Sequence, residues 1–216
     1  MELSRLDFGS LLAYSPRGMS AEIIHSRNIM IKLKTDSFVS NPQILMSQWI
    51  AQDIKRKKDS LPFASYFKAN TTLVPTPKSS LMQPGTLWVP LRIANALVGM
   101  GLGKNVFPCL VRNKPVAKAT SCAPSKRPLV ADHYESLSVQ KSLSNPDDLL
   151  LIDDVITRGA TLLGAANCLA DAFPQAEIRA FAAMRTISNS ADFVKEYDPC
   201  IGEIELREIG DTLRRP

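Results

Sequence analysis

The chain of 216 residues lacks the features that mark membrane proteins, zinc proteins and disulfide-rich proteins. No apolar run approaches the roughly 20 residues that a membrane-spanning helix needs. The four cysteines stand singly, without a CxxC pair or a neighbouring histidine cluster, which argues against a zinc site and a disulfide framework. The segment from Met1 to Arg17 has no continuous hydrophobic stretch, which argues against a secretory signal. We therefore expect a cytoplasmic protein with no membrane partner.

Internal repeats and low-complexity tracts are also missing, so a multi-domain scaffold, a disordered chain and a coiled coil are poor interpretations. A composition of 45% apolar and 22% charged residues is typical of one globular domain with a sizeable core. The 26 basic and 21 acidic side chains give a net charge of +5. That balance suits either a nucleic-acid partner or a pocket for a polyanionic small molecule, and charge alone leaves both open.

The residue pattern of the sequence changes near residue 60. Residues 55–72 resemble a connection, because a run of Lys and Arg is followed by a Leu-Pro pair. Before it, apolar residues at helical spacing predict a helix over residues 41–53 that begins at Asn41-Pro42. We therefore expect a small N-terminal hood over residues 1–60 and a core over residues 61–216.

From about residue 71 the pattern alternates between strands and helices. We predict strands over 71–74, 106–111, 149–152 and 178–184, and helices over 87–98 and 160–173. Continuous apolar strands that alternate with helices predict an α/β fold with a mostly parallel sheet flanked by helices. Residues 112–136 show no clear periodicity, and a structureless stretch of that length inside a compact domain is usually functional.

The most informative pattern lies in residues 149–161. Four apolar residues run into the adjacent carboxylates of Asp153 and Asp154, which a parallel strand delivers to the ligand-binding edge of a sheet. Residues 157–161 predict a tight turn into a helix, whose free N–H groups suit a phosphate, and Gly159 lets the backbone approach closely. Carboxylates for sugar hydroxyls beside a phosphate loop predict a ribose 5-phosphate site. The plainer alternative is a strand end and a capped helix with two solvated aspartates.

The pattern resembles the motif that binds 5-phosphoribosyl 1-pyrophosphate (PRPP) in type I phosphoribosyltransferases: four hydrophobic residues, two acids and a Thr-rich glycine loop. The resemblance implies that Asp153 and Asp154 contact the ribose hydroxyls. It also implies that the 5′-phosphate loop consists of Thr157, Arg158, Gly159, Ala160 and Thr161. Arg158 stands where the family most often has Thr, a change that removes one hydroxyl donor and keeps the backbone donors.

A second segment, residues 73–79, resembles the first core strand and the pyrophosphate loop of the ComF-like branch of that family. The resemblance implies that Thr76, Lys78 and Ser79 hold the leaving pyrophosphate and its magnesium. It also implies a flexible basic loop, which contains Arg112, Lys114, Lys118, Lys126 and Arg127. A proline-rich turn after a strand is the plain alternative for residues 73–79. The paired cysteines of many ComF-like chains are missing from residues 1–60, so the resemblance includes no zinc ribbon.

The implied activity is displacement of magnesium pyrophosphate from C1 of PRPP by a nitrogen acceptor, with Asp153, Asp154 and Lys78 as catalytic residues. Magnesium would be the cofactor, held largely by PRPP itself and at most weakly by the two aspartates. The alternative is a PRPP-sensing or nucleic-acid-binding protein without turnover. The acceptor stays open, and a homodimer is the default among soluble oligomers.

Two further patterns have plainer interpretations. The segment Gly99 to Lys104 resembles a nucleotide-binding loop, but it lacks the glycine spacing and the hydroxyl residue of such loops. We predict a helix C-terminus there instead. His133 is a candidate acid or base, although a lone histidine is more often structural.

Overall fold

The computed structural model describes residues 3–39, 43–117, 127–140 and 145–216. The helices are α1 (Ala21–Thr35), α2 (Met46–Lys57), α3 (Val89–Gly99), α4 (Val130–Glu135) and α5 (Ala160–Ala172). The strands are β1 (Arg5–Tyr14), β2 (Phe38–Val39), β3 (Ile44–Leu45), β4 (Thr72–Pro75), β5 (Asn105–Val106), β6 (Leu110–Arg112), β7 (Leu137–Val139), β8 (Asp148–Ile156), β9 (Glu177–Thr186), β10 (Tyr197–Leu206) and β11 (Thr212–Arg215).

A central sheet of seven strands has the order β11-β10-β1-β9-β8-β4-β5. The neighbouring strands from β1 to β5 in that order are parallel, whereas β10 runs antiparallel to both β1 and β11. Strands β2 and β3 form a small separate sheet, and so do β6 and β7. The predicted α/β architecture with a mostly parallel sheet is therefore confirmed.

Strand β1 lies inside the central sheet. Phe8 pairs with Ala180 of β9 on one side and with Gly202 of β10 on the other. Nearly every residue of β1 is buried, because both faces of the sheet are covered at this point. Residues 5–14 thus belong to the sheet of the core and not to a hood outside it.

Helices cover both faces of the sheet. Helices α2 and α3 and the connection 61–67 pack on one face, where the rings of Phe63, Phe67 and Phe181 lie 5.2–6.1 Å apart. Helices α4 and α5 cover the other face and bury the side chains of Leu149 and Leu151. The segment that looks like a plain connection in the sequence therefore supplies aromatic core.

Three element predictions need correction. The single strand over 106–111 is wrong: Pro108 has no N–H for a ladder, and two short strands on either side of it join different sheets. The stretch 112–136 contains α4. Helix α2 begins at Met46, because the Asp36 carboxylate accepts a 2.8 Å hydrogen bond from the Ser47 amide and caps the helix there. The predicted start at Asn41-Pro42 lies outside the described residues.

Helix α3 ends at Gly99, followed by Gly101 at a φ of 70°, so the predicted helix C-terminus is confirmed. No helix in the described ranges combines the length and the apolar composition needed to cross a bilayer. Cys109, Cys168 and Cys200 are free thiols.

Candidate functional site

The two adjacent carboxylates lie at the carboxyl edge of the sheet. Strand β4 ends at Pro75, opposite Ile152, whereas β8 continues to Ile156 beside β9. Asp153 and Asp154 are therefore part of β8 itself, and the prediction that the strand stops before them is wrong, because β9 continues to pair with it. Since β4 has already ended, this part of β8 borders the edge where ligands of parallel sheets bind.

Asp153 is held by two hydrogen bonds to one of its carboxylate oxygens. Its Oδ1 accepts from Thr76 Oγ1 at 2.9 Å and from the Asp154 amide at 2.9 Å. Burial and the negative charge of Asp154 raise the pKa of Asp153 to about 7, although Lys34 and Thr76 oppose the rise. The pKa of Asp153 therefore lies far above the ordinary range of a carboxyl.

Asp154 forms an ion pair with a lysine of helix α1. Lys34 Nζ donates to Asp154 Oδ1 at 2.8 Å and to Oδ2 at 2.9 Å, and the Val155 amide donates to Oδ1 at 2.6 Å. Burial lowers the pKa of Lys34, but the charges of Asp154 and Asp153 outweigh it, so this pKa lies above its ordinary value. Sequence reasoning missed Lys34, because no local pattern marks a contact between residues so far apart in the chain.

The predicted tight turn into a helix is present. Gly159 has a φ of 92° and precedes the first residue of α5. A Cβ at this position would lie 2.7 Å from the side chain of Ile204, so both the backbone conformation and the close packing require glycine. The first N–H groups of α5 then stand free of helical partners, as the N-terminus of any helix does.

Two side chains at the start of the loop contact the end of the sheet and the C-terminal strands. Thr157 Oγ1 lies 3.3 Å from Thr186 Oγ1 at the end of β9. Arg158 Nη1 lies 3.5 Å from Asp211 Oδ2. The Arg158 side chain therefore points toward a carboxylate partner, Asp211, and not only into solvent.

His133 contacts the far end of the same loop. Its Nε2 lies 3.4 Å from Thr161 Oγ1, and only 5% of the residue is exposed. Burial and the nearby charge of Arg112 lower the pKa of His133 to about 4. The imidazole is therefore neutral at physiological pH, and it lies beside a residue of the loop although no sequence motif connects the two.

The segment 76–79, which contains the predicted pyrophosphate residues, is held in place through its carbonyl groups. Three of its four carbonyls accept hydrogen bonds, so neighbouring residues hold the conformation of the segment. Trp88 Nε1 donates to the Thr76 carbonyl at 2.7 Å, and Arg112 Nε donates to the Lys78 carbonyl at 2.9 Å. The Val116 amide donates to the Ser79 carbonyl at 2.8 Å. Lys78 and Ser79 themselves are half-buried.

Arg112 is a buried residue of β6 and not a member of a flexible loop, so that prediction needs correction. Only 4% of Arg112 is exposed, because it bridges the Lys78 carbonyl and the Ser136 hydroxyl. Burial lowers the pKa of its guanidinium. Its Nη2 has no partner among the residues that the structure describes.

The remaining residues of the predicted basic loop are only partly described. Lys114 is exposed, with its Nζ 3.6 Å from Glu135 Oε2. Arg127 is half-buried. Lys118 and Lys126 lie outside the described residues, so their predicted role stays a prediction.

No family model matches the chain, and no curated protein sequence matches it. The fold and the site define its class: an α/β protein whose mostly parallel sheet presents an acid pair and a glycine turn at its carboxyl edge.

Proposed function

We propose that the chain binds PRPP and acts as a phosphoribosyltransferase with the fold of the type I family, as the sequence resemblance implies. One observation carries the proposal. The carboxylates of Asp153 and Asp154 and the glycine turn before α5 follow one another on a single connection at the carboxyl edge of the sheet. Acceptors for sugar hydroxyls thus stand next to donors for a phosphate.

In this proposal the acid pair binds the ribose. Asp153 Oδ1 already accepts two hydrogen bonds, which leaves Oδ2 for a hydroxyl of the sugar. Asp154 keeps acceptor capacity on its own Oδ2 beside Lys34. Two neighbouring carboxyl groups suit two vicinal hydroxyls, and the negative charge of the pair favours the positive character that develops at C1.

The N-terminus of α5 binds the 5′-phosphate. Helix α5 has 13 residues, and its first N–H groups carry the partial positive charge that attracts anions. The glycine at position 159 lets the phosphate approach the backbone closely. Thr157 and Thr161 supply hydroxyls at the two ends of the loop.

Residues Thr76, Lys78 and Ser79 bind the leaving pyrophosphate in this proposal, with the Lys78 ammonium opposing its charge. Oxygen ligands suit magnesium, and Asp153 and Asp154 are the acids of the site that fit it. The described residues contain no group of three or more His, Cys, Asp or Glu that could hold a metal, so phosphate oxygens would supply most of its ligands. Magnesium, when bound, would add neutralisation of the leaving group.

The test is calorimetric titration of PRPP with magnesium into the wild-type chain and into the double variant Asp153→Asn, Asp154→Asn. We expect the wild-type chain to bind PRPP and the double variant to lose this binding. A control variant with two exposed substitutions, Asp147→Asn and Asp192→Asn, should keep it. A screen of nitrogen acceptors for pyrophosphate release then tests turnover. Absence of PRPP binding by the folded wild-type chain would contradict the proposal, and salt-sensitive binding of nucleic acid would support the alternative.

A further inference from the structure

The ion pair between α1 and β8 gives the N-terminal region a part in the site. We propose that Lys34 is a positioning residue of the acid pair, which holds the Asp154 carboxylate in one orientation so that it meets the ligand as an acceptor. The identity of that ligand rests on the proposed function. The effect of Lys34 on the acid pair does not rest on the proposed function, because it is measurable without any ligand.

The backbone that carries Lys34 is held in place on both sides. Leu33 is fully buried, and Asp36 ends α1 in the left-handed conformation at a φ of 46°. The Asp36 carboxylate accepts from the Ser47 amide and hydroxyl, and from Arg92 Nη1 at 3.0 Å. The end of α1 is therefore anchored to α2 and α3, and Lys34 reaches Asp154 from a fixed starting point.

Lys34 also completes the set of donors that orient the two carboxylates. Asp154 receives both of its side-chain hydrogen bonds from Lys34, and one further bond from the Val155 amide. Asp153 is oriented by Thr76 and by the Asp154 amide. Without Lys34, the Val155 amide would be the remaining donor to Asp154 among these contacts. The Asp154 side chain would then be less firmly oriented.

The charge of Lys34 balances one of the two acids. Among the described residues, the charges with the largest effect on Asp153 are those of Asp154 and of Lys34 from α1, and Tyr14 of β1 acts in turn on Lys34. Thr76 of β4 adds a neutral donor. Two adjacent carboxylates repel each other, and the positive charge of Lys34 offsets part of that repulsion. The acid pair and Lys34 therefore act as one unit.

The first test follows the acid pair directly, by NMR titration of protein labelled with ¹³C at the aspartate carboxyls. We expect Lys34→Met to move the upper titration midpoint of the pair to higher pH, and Lys34→Arg to restore it. Lys32→Met is the matched control, because Lys32 is exposed in the same last turn of α1. A Lys34→Met variant that titrates like the wild-type chain would overturn the inference.

The second test measures affinity for magnesium PRPP. We expect Lys34→Met to weaken binding by about tenfold, Lys34→Arg to remain within about threefold of wild type, and Lys32→Met to leave binding unchanged. Circular dichroism checks that all variants are folded. Tighter binding by Lys34→Met would overturn the inference, since Lys34 would then be a competitor for the site. If the wild-type chain binds no PRPP, the proposed function fails, and the carboxyl titration still decides the role of Lys34.

Discussion

Thr76 Oγ1 donates a 2.9 Å hydrogen bond to Asp153 Oδ1, which joins the end of β4 to the acid pair of β8. The same hydroxyl lies 3.1 Å from the Ile152 carbonyl, and the Thr76 amide donates to that carbonyl at 2.9 Å. One residue thus closes the gap between the two strands at the point where their ladder ends. The predicted pyrophosphate segment and the predicted ribose site are consequently in direct contact.

The first prediction concerns Thr76→Val. The substitution removes a buried donor to the Asp153 carboxylate, so we expect a further rise in the pKa of Asp153 and a loss of about 1 kcal/mol in the free energy of unfolding. Urea denaturation and carboxyl NMR measure the two effects. Thr72→Val is the control, because the Thr72 hydroxyl bonds Asn105 and is remote from the acid pair. An unchanged Asp153 titration would contradict the prediction.

The second prediction concerns stability and pH. The pKa of Asp153 is about 7 in the folded chain and has an ordinary value of 3.8. Between these values the folded chain holds the proton that the unfolded chain releases, so the free energy of unfolding falls as pH rises from about 4 to about 7.

We expect Asp153→Asn to remove this slope, so that the variant gains stability relative to wild type on going from acid to neutral pH. The gain is at most a few kcal/mol. Chemical denaturation across that pH range measures it. Asp147→Asn, an exposed neighbour, should keep the wild-type slope. Parallel pH profiles for Asp153→Asn and wild type would be the contrary result.

The third prediction concerns Gly159→Ala. A Cβ here is strained at a φ of 92° and meets the Ile204 side chain at 2.7 Å. We expect a loss of about 2–4 kcal/mol in stability, together with loss of phosphate binding. Gly101→Ala shares the left-handed conformation, at a φ of 70°, but its nearest neighbour is Lys55 Nζ at 3.9 Å. The difference between the two variants isolates the contact with Ile204, and equal losses would show that this contact adds nothing.

The fourth prediction concerns Arg112→Gln. The shorter side chain cannot bridge the Lys78 carbonyl and the Ser136 hydroxyl, so buried acceptors lose their partner. We expect a loss of about 2–3 kcal/mol in stability and weaker binding of inorganic pyrophosphate. Lys114→Gln removes a charge from the exposed side of the same region and should change stability by less than about 0.5 kcal/mol. If a folded Arg112→Gln chain binds pyrophosphate with full affinity, Arg112 does not support pyrophosphate binding by the segment 76–79, and the prediction is wrong.

The parts of the fold that the sequence predicts well are those with local signals. The apolar run before Asp153 forms a buried strand because both faces of the sheet are covered there. Gly159 begins a helix because the turn needs a left-handed residue. Both signals lie within a few residues of the feature that they predict, although the end of β8 at Ile156 depends on its pairing with β9.

The parts that the sequence does not predict depend on distant contacts. Lys34 reaches Asp154 only because α1 packs above the carboxyl edge, and nothing in the local sequence of α1 distinguishes Lys34 from Lys32. The start of α2 is set by Asp36 from outside the helix. The burial of Arg112 depends on β7 and on the segment 76–79, so the local sequence does not distinguish it from a loop residue.

The position of β1 also has a consequence for synthesis of the chain. β1 lies between β9 and β10, both of which are made long after it, so its backbone groups have no sheet partner while the middle of the chain is translated. Sheet closure therefore depends on pairings of high contact order, which slows folding and leaves an unpaired strand edge exposed to other chains. The sheet pairing of β1 is accordingly completed only after residues 177–206 have left the ribosome.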